Sequence, residues 1–300
     1  MAIVETVLIK AEEPLTAVRT SWSRQLLRRL ITNPSAVVGM VLMGVIVLAA
    51  ILAPLIARAN PDAINISALN LEPSRLHPFG TDYLGRDMWS RVIWGSRVSM
   101  PAGLGVILIS FGAGTPMGLI AGYMGGVVEE IVMRFVDLLL AIPSIMLAIL
   151  IVAILGPSLQ SAVIGVGIAN IPGFARIARG STLATREREY VASARALGAG
   201  NISILFRHIM PNVIDPLVVL ATISLGYAIL ATAALSYLGI GTQVPTSDWG
   251  TMLSSGYEHM HQSWSEVTFP GLAIVVAVLG INLLGDGLGD ALNPRLKGGK

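Results

Sequence analysis

Long apolar runs separated by short polar intervals set the plan of this chain. The runs cover residues 36–56, 98–123, 131–155, 159–177, 213–240 and 269–284. Each approaches the ~20 residues that carry an α-helix across a hydrocarbon core ~30 Å thick. None shows the alternation of apolar and polar positions that a membrane barrel strand requires. The pattern predicts an all-α, polytopic membrane protein with six transmembrane helices. Its polar intervals divide the chain into a tail over 1–35, a first span over 36–57, a polar segment over 58–95, a five-helix core over 96–290 and a closing tail over 291–300. Ala57-Arg58-Ala59 imitates a signal-peptidase site. The run before it is longer than the roughly 7–15 residues of a signal h-region, so an uncleaved first helix is expected.

Composition agrees: 54% of the 300 residues are hydrophobic and 13% are charged, against about 25% charged in soluble domains. With no cysteine, disulfides and thiolate metal sites are excluded. A net charge of +2 with a pI near 9.1 does not point to nucleic acid, because the basic residues collect in particular loops. The first tail has Lys10, Arg19, Arg24, Arg28 and Arg29, and the 176–207 interval has six arginines. The interval 241–267 has neither lysine nor arginine but carries Asp248, Glu258 and Glu266. The positive-inside bias therefore puts both termini and the 176–207 interval in the cytoplasm. The 58–97 interval, with five arginines, runs against that bias.

Residues 186–212 form the most informative polar interval. Tyr190, Val191, Ala194 and Leu197 fall at i, i+1, i+4 and i+7, one stripe of a helix. Gly198 and Gly200 then break the pattern, since glycine accepts the positive φ that ends helices. Asn201 is placed to cap a second short helix through Arg207, and Pro211 to start another. The expected shape is a helix, a glycine elbow and a helix: a knob for insertion into a partner, or an amphipathic helix lying on the bilayer.

Other signals lie within the spans and outer loops. Gly114, Gly118, Gly122 and Gly126 recur every four residues and predict a bare helix face pressed against a neighbour. Gly125-Gly126 is expected to end that helix, and Pro143, Pro157 and Pro172 to mark kinks or ends. In the interval 77–91, Thr81 and Asp82 are placed to close a turn around Gly80, and Arg86 to pair with Asp87 across Gly85. Arg134 and Asp137 are expected to pair on one helix face. His77, Asp82 and Asp87 have no recognised metal spacing, and His259 with His261 supplies too few ligands.

The 186–212 interval resembles the cytoplasmic coupling loop of ABC importer permeases, whose pattern is Glu-Ala-Ala, three residues, Gly, nine residues, Ile-x-Leu-Pro. Ala192, Ser193 and Ala194 take the first three places, Gly198 the glycine, and His208, Met210 and Pro211 the end. Ala192 replaces the pattern's glutamate, so no carboxylate role is carried to it. The run His77 to Arg91 resembles the signature H-P-x-G-T-D-x-x-G-R-D-x-x-S-R of the dipeptide, oligopeptide and nickel branch. That resemblance marks Gly80, Thr81, Asp82, Gly85, Arg86 and Asp87. The stretch Asn282 to Arg295 is similar to the branch's closing N-L-L-G-D-G-L-R-D-x-L-D-P-R, with Gly289 and Asn293 departing from it.

The resemblance implies a type I ABC importer permease of a bacterial or archaeal inner membrane. Such a subunit forms half of a pore completed by a homologous second permease. It is driven by one or two ATPase subunits and supplied by an extracytoplasmic substrate-binding protein. The coupling residues it implies are Glu189, Tyr190, Ala192, Ala194, Arg195, Leu197, Gly198, Arg207, His208 and Pro211. The chain lacks G-x-x-x-x-G-K-[ST], so no cofactor is expected on it, and ATP with magnesium belongs to the partners. Without H-E-x-x-H or G-x-S-x-G, no enzyme is expected. Peptides lead as substrate, with nickel chelates, glutathione, opines and oligosaccharides as alternatives. An ion-coupled secondary transporter would need an ionisable or broken-helix site at mid-span, and a passive anchor would leave the aligned glycines unexplained.

Overall fold

The structure, a computed structural model, describes residues 22–292. Most of the first tail and the end of the closing tail, with the basic cluster at Arg295, lie outside the described residues. Within them every regular element is a helix, apart from one antiparallel bridge between Thr81 and Asp87. Helix α1 (Trp22–Thr32) meets α2 (Pro34–Ile56) at Asn33. The Asn33 side chain accepts from the Ser35 and Ala36 amides, and Pro34 takes the first helical position, where no amide is needed. Helix α3 (Met88–Met124) follows the polar segment and has 37 residues, about 55 Å at 1.5 Å per residue. It starts ten residues before the apolar run, because Asp87 caps it by accepting from Ser90 N.

Gly125, at φ 68°, ends α3. The apolar run 131–155 does not form one span. It divides into α4 (Gly126–Leu140) and α5 (Ser144–Leu155), bent by 88°. Pro143 supplies no amide and disfavours helical backbone at Ile142, so the ladder cannot cross it. Helix α6 (Leu159–Arg186) begins at Ser158, whose side chain accepts from Ser161 N, and continues nine residues beyond the apolar run. Next come α7 (Glu189–Ala196) and α8 (Asn201–Tyr237). Two further helices close the described chain, α9 (Trp249–Glu258) and α10 (Ser265–Leu292). Helices α2, α3, α6, α8 and α10 are each long and apolar enough to span, and the bent α4–α5 pair passes the same test only when its two halves are taken together as one broken span.

Lipid tails are as apolar as leucine, so helices associate here through close contact and not through exclusion from water. Gly114, Gly118 and Gly122 provide that contact against α6. A Cβ at Gly114 would stand 2.6 Å from the Ile171 carbonyl oxygen, and one at Gly122 would stand 2.8 Å from that of Arg179. At Gly118 it would strike the Ala175 carbonyl and approach the Ala178 Cβ to 2.6 Å. Gly126 leaves this face. It has φ 56° and opens α4 with nothing near its Cβ position, because the turn at Gly125 redirects the chain. A second close approach joins α2 to α10, where a Cβ on Gly39 would meet Leu284 N at 2.6 Å.

Gly118→Leu is expected to lower the thermal midpoint of the detergent-solubilised protein by several degrees, since overpacking costs about 1–3 kcal/mol or more. Gly112→Leu, on the same helix but with open space at its Cβ position, should leave the midpoint unchanged. Equal midpoints for the two variants in a thermal scan would remove the glycine face from the packing account.

Candidate functional site

At one end of the bundle α6 runs into the elbow, and the elbow runs without interruption into α8. Arg186, the last residue of α6, donates from Nη1 to the Gly122 carbonyl at 2.8 Å and so ties the elbow's entrance to α3. Helix α7 buries Val191 and Ala194. Val191 packs with Ile204, Ile209, Val213 and Leu217 of α8, and with Leu119 and Phe174 of the spans. The elbow is therefore seated on the bundle and is not a free loop. Its corner is built from two hydrogen bonds: Gly198 N donates to the Arg195 carbonyl at 3.0 Å, and Ala199 N donates to that of Ala194 at 3.1 Å. That pair defines a Schellman motif, whose C′ position needs left-handed backbone. Gly198 supplies it at φ 83°.

Several expectations for this interval change. Tyr190 and Leu197 do not share the buried stripe. Leu197 is 88% exposed, because a helix of eight residues presents only two turns to the bundle. Tyr190 is also exposed, and its hydroxyl donates to the His208 carbonyl at 3.3 Å. Asn201 does not cap the second helix. Gly200 holds that position, while the Asn201 side-chain oxygen accepts from the Tyr123 hydroxyl at 2.8 Å. Pro211 stands in the first turn of the α-helical stretch that begins at Met210, as expected, but that stretch is continuous with the turn before it. Residues Ile204–Ile209 widen into a π turn in which Met210 N reaches the Leu205 carbonyl. That wider turn accommodates the ring and missing amide of Pro211, so α8 passes through it.

The surface of the elbow is mixed. Glu189, Ala192, Arg195, Gly198, Arg207 and Pro211 are exposed, Ala194 is buried and His208 is half-buried. Beside Leu197 stand two apolar side chains missed from the sequence, Ile202 and Phe206, 77% and 59% exposed. Their signal was an i, i+4 pair on the face opposite Ile204 and Ile209. Three large apolar groups, Leu197, Ile202 and Phe206, thus stand exposed between Arg195 and Arg207.

The opposite end holds the polar segment. Gly80 and Gly85 have φ 75° and 73°, and each lies against backbone where a Cβ would collide, Leu71 for Gly80 and Asn65 for Gly85. The Thr81 hydroxyl donates to the Ala68 carbonyl and accepts from Leu71 N. Asp82 accepts from Leu84 N, Arg86 N and Arg86 Nε at 3.0, 2.8 and 2.6 Å. Arg86 therefore pairs with Asp82 and not with Asp87, since the turn at Gly85 returns it to the residue four earlier. Asp87 instead caps α3 and bonds to His77 Nδ1 at 2.8 Å. Asp248, capping α9, accepts from the Ser99 hydroxyl at 2.7 Å, and Trp249 Nε1 donates to the Val92 carbonyl. His259 stacks on Tyr83. These groups fasten the far end of α3.

Along α4 the expected Arg134–Asp137 pair is absent. Asp137 reaches across to Arg176 of α6 at 2.7 Å, and Arg134 turns back to Glu130 at 3.8 Å. Glu129 also bonds to Arg179. A partner on a facing helix competes successfully with one a single turn away.

The profile described as "Binding-protein-dependent transport system inner membrane component" matches residues 114–298. One described as "N-terminal TM domain of oligopeptide transport permease C" matches residues 21–73. The chain is 43% identical, over 95% of its length and 93% of the relative's, to a dipeptide transport system permease protein of Alkalihalophilus pseudofirmus. It is 45% identical, over 68% of its length and 67% of the relative's, to a glutathione transport system permease protein of Pectobacterium atrosepticum. A solved structure of the inward-facing MetNI methionine ABC transporter aligns with TM-score 0.56 and 21% identity, over 69% of this chain and 97% of that one. At that identity the likeness concerns the fold.

The cap at Asp87 yields a direct expectation. Asp87→Ala should destabilise the solubilised protein by about 1–2 kcal/mol through loss of the cap, and Asp87→Asn by less, because the amide oxygen still accepts from Ser90 N. Thermal unfolding of the two variants side by side checks the order, and equal losses would assign the effect to the His77 contact.

Proposed function

Because this chain belongs to the family of binding-protein-dependent transport system inner membrane components, we propose that it carries small peptides through half of a pore, powered through its elbow. It is a multi-pass, non-enzymatic permease subunit of an ABC importer. In the proposed assembly a homologous permease completes the pore, and ATPase subunits holding ATP and magnesium grip the elbow. A substrate-binding protein delivers peptide to the opposite end. The elbow and both termini then face the cytoplasm of the cell whose inner membrane holds the complex, as the arginines of 176–207 favour. Relatives named for dipeptides and glutathione, all short peptides, support the substrate class.

The observation that carries this reading is the exposure of Leu197, Ile202 and Phe206 on a corner seated by Val191 and Ala194. Helix α8 leaves the corner without a break and is long and apolar enough to cross the membrane. A push on the corner is therefore delivered to a span as a rigid-body displacement, the kind of motion that exchanges access between two sides.

Gly198→Val tests it. A β-branched residue resists positive φ at a cost of roughly 1–2 kcal/mol. The variant is expected to insert and to co-purify with its ATPase, but to take up peptide at least about tenfold more slowly for each ATP hydrolysed. Transport assays in vesicles with the binding protein supply the measurement. Wild-type coupling would remove the elbow from the mechanism, and recovery of the unsubstituted chain with no ATPase would defeat the importer assembly itself.

A further inference from the structure

The bend between α4 and α5 lies where a membrane protein can least tolerate it. Helix α5 has 12 residues, so about 18 Å separates Ser144 from the turn at 156–158, more than half of a core ~30 Å thick. Ala141, Ile142, Pro143 and Ser144 are nevertheless all exposed on this chain. Pro143, at the N-cap, makes no side-chain hydrogen bond to the first turn of α5. Interrupted backbone at this depth cannot face lipid, where each unpaired amide or carbonyl costs several kcal/mol; it persists only inside protein or beside water.

Two hydroxyls occupy the same place. The Ser144 Oγ and the Tyr227 Oη are 3.0 Å apart, and both side chains are exposed. Tyr227 lies on the exposed stripe of α8 with Ile223, Leu230 and Tyr237, at i−4, i+3 and i+10 from it. Tyr237 meets Tyr257 of α9 at the outer end of that stripe, ring centroids 6.5 Å apart. The exposed surface from the bend to the outer end thus carries hydroxyls and the ends of two helices among the apolar side chains of Ile142, Ile223 and Leu230, with no ionised side chain among these residues.

We propose that the bend at 141–144 and the tyrosine stripe of α8 form this chain's wall of a water-filled translocation path. There Ser144, Tyr227 and the open backbone exchange hydrogen bonds with the amide groups of a passing peptide. This rests on the importer reading and specifies its route. Uncharged donors and acceptors suit an extended peptide of any sequence, because they address the main chain that all peptides share. Single exchangeable hydrogen bonds, worth about 0.5–1.5 kcal/mol net each, also let the peptide leave.

The absence of cysteine makes the test clean. Ser144→Cys, Tyr227→Cys and Ile51→Cys, the last exposed on the apolar face of α2, are placed singly in the assembled complex in vesicles. Each is treated with a charged, water-soluble methanethiosulfonate, and modification is read as a mass shift of this chain. Positions 144 and 227 are expected to react at least roughly tenfold faster than 51, since only a hydrated thiol ionises and meets the reagent. Excess dipeptide with binding protein and ATP should slow them, and modification should block uptake. Reaction no faster than at 51, in vesicles that still import, would overturn the assignment of the wall and leave the importer standing. Failure of the unsubstituted complex to import peptide would defeat the parent reading instead. Should Tyr227→Cys fail to assemble, Ser144→Cys alone decides, because serine to cysteine changes one atom.

Discussion

Everything in this molecule depends on the contact of two backbones along Gly114, Gly118 and Gly122. Where solvent is hydrocarbon on every side, burying a leucine gains little, and the helices must earn their attraction by proximity. Removing three side chains from one face of α3 lets the carbonyls of Ile171, Ala175 and Arg179 come to the distance a Cβ would fill. That contact fixes α6 against α3. Since α6 ends in the elbow, and the elbow's buried face rests on Leu119, Phe174 and Ala178 of these helices, the contact also fixes where the knob stands.

The far end of α3 is fastened by different physics. Arg86 and Arg91 are buried with Asp82 between them, at 2.6 and 3.7 Å, and Arg91 also donates to the Pro61 carbonyl. Buried ion pairs of this kind add little net stability, but loss of one partner is costly, so they select one arrangement strongly. Ser90 accepts from the amides of Arg58 and Ala59, and Ser99 and Val92 bond to the start of α9. One end of the helix thus sits in a dense polar network, and the other is held mainly by close apolar contact.

Much of this was legible because lipid simplifies the code. Runs of ~20 apolar residues have few alternatives, and the glycine period of four marks a helix face wherever helices are obligatory. Gly198 was legible for a similar reason, as a glycine following a short amphipathic stripe has one common use. What stayed hidden was decided by partners distant in sequence. Arg134 and Asp137 looked like a pair until α6 brought Arg176 to Asp137. Arg86 looked like a partner for Asp87 until the turn at Gly85 returned it to Asp82. The bend at Pro143 was marked as a kink or an end, but its size follows from the packing of both halves. The exposure of Ile202 and Phe206 appears only once Ile204 and Ile209 are known to face inward.

The two proline interruptions show how one chemical defect receives opposite solutions. Pro211 and Pro143 each remove a backbone donor from a helical run. At Pro211 the chain remains helical by widening into a π turn, with Met210 N reaching back to Leu205, so a force applied at the elbow is not lost in a hinge. At Pro143 the ladder is abandoned, the axis turns by 88°, and polar backbone is left open. A stiff joint suits the place where work is proposed to enter, and an open one suits the place where a peptide is proposed to pass. Exchanging them would fail on physical grounds: a break at 211 would absorb the push, and a healed ladder at 143 would line the path with hydrocarbon.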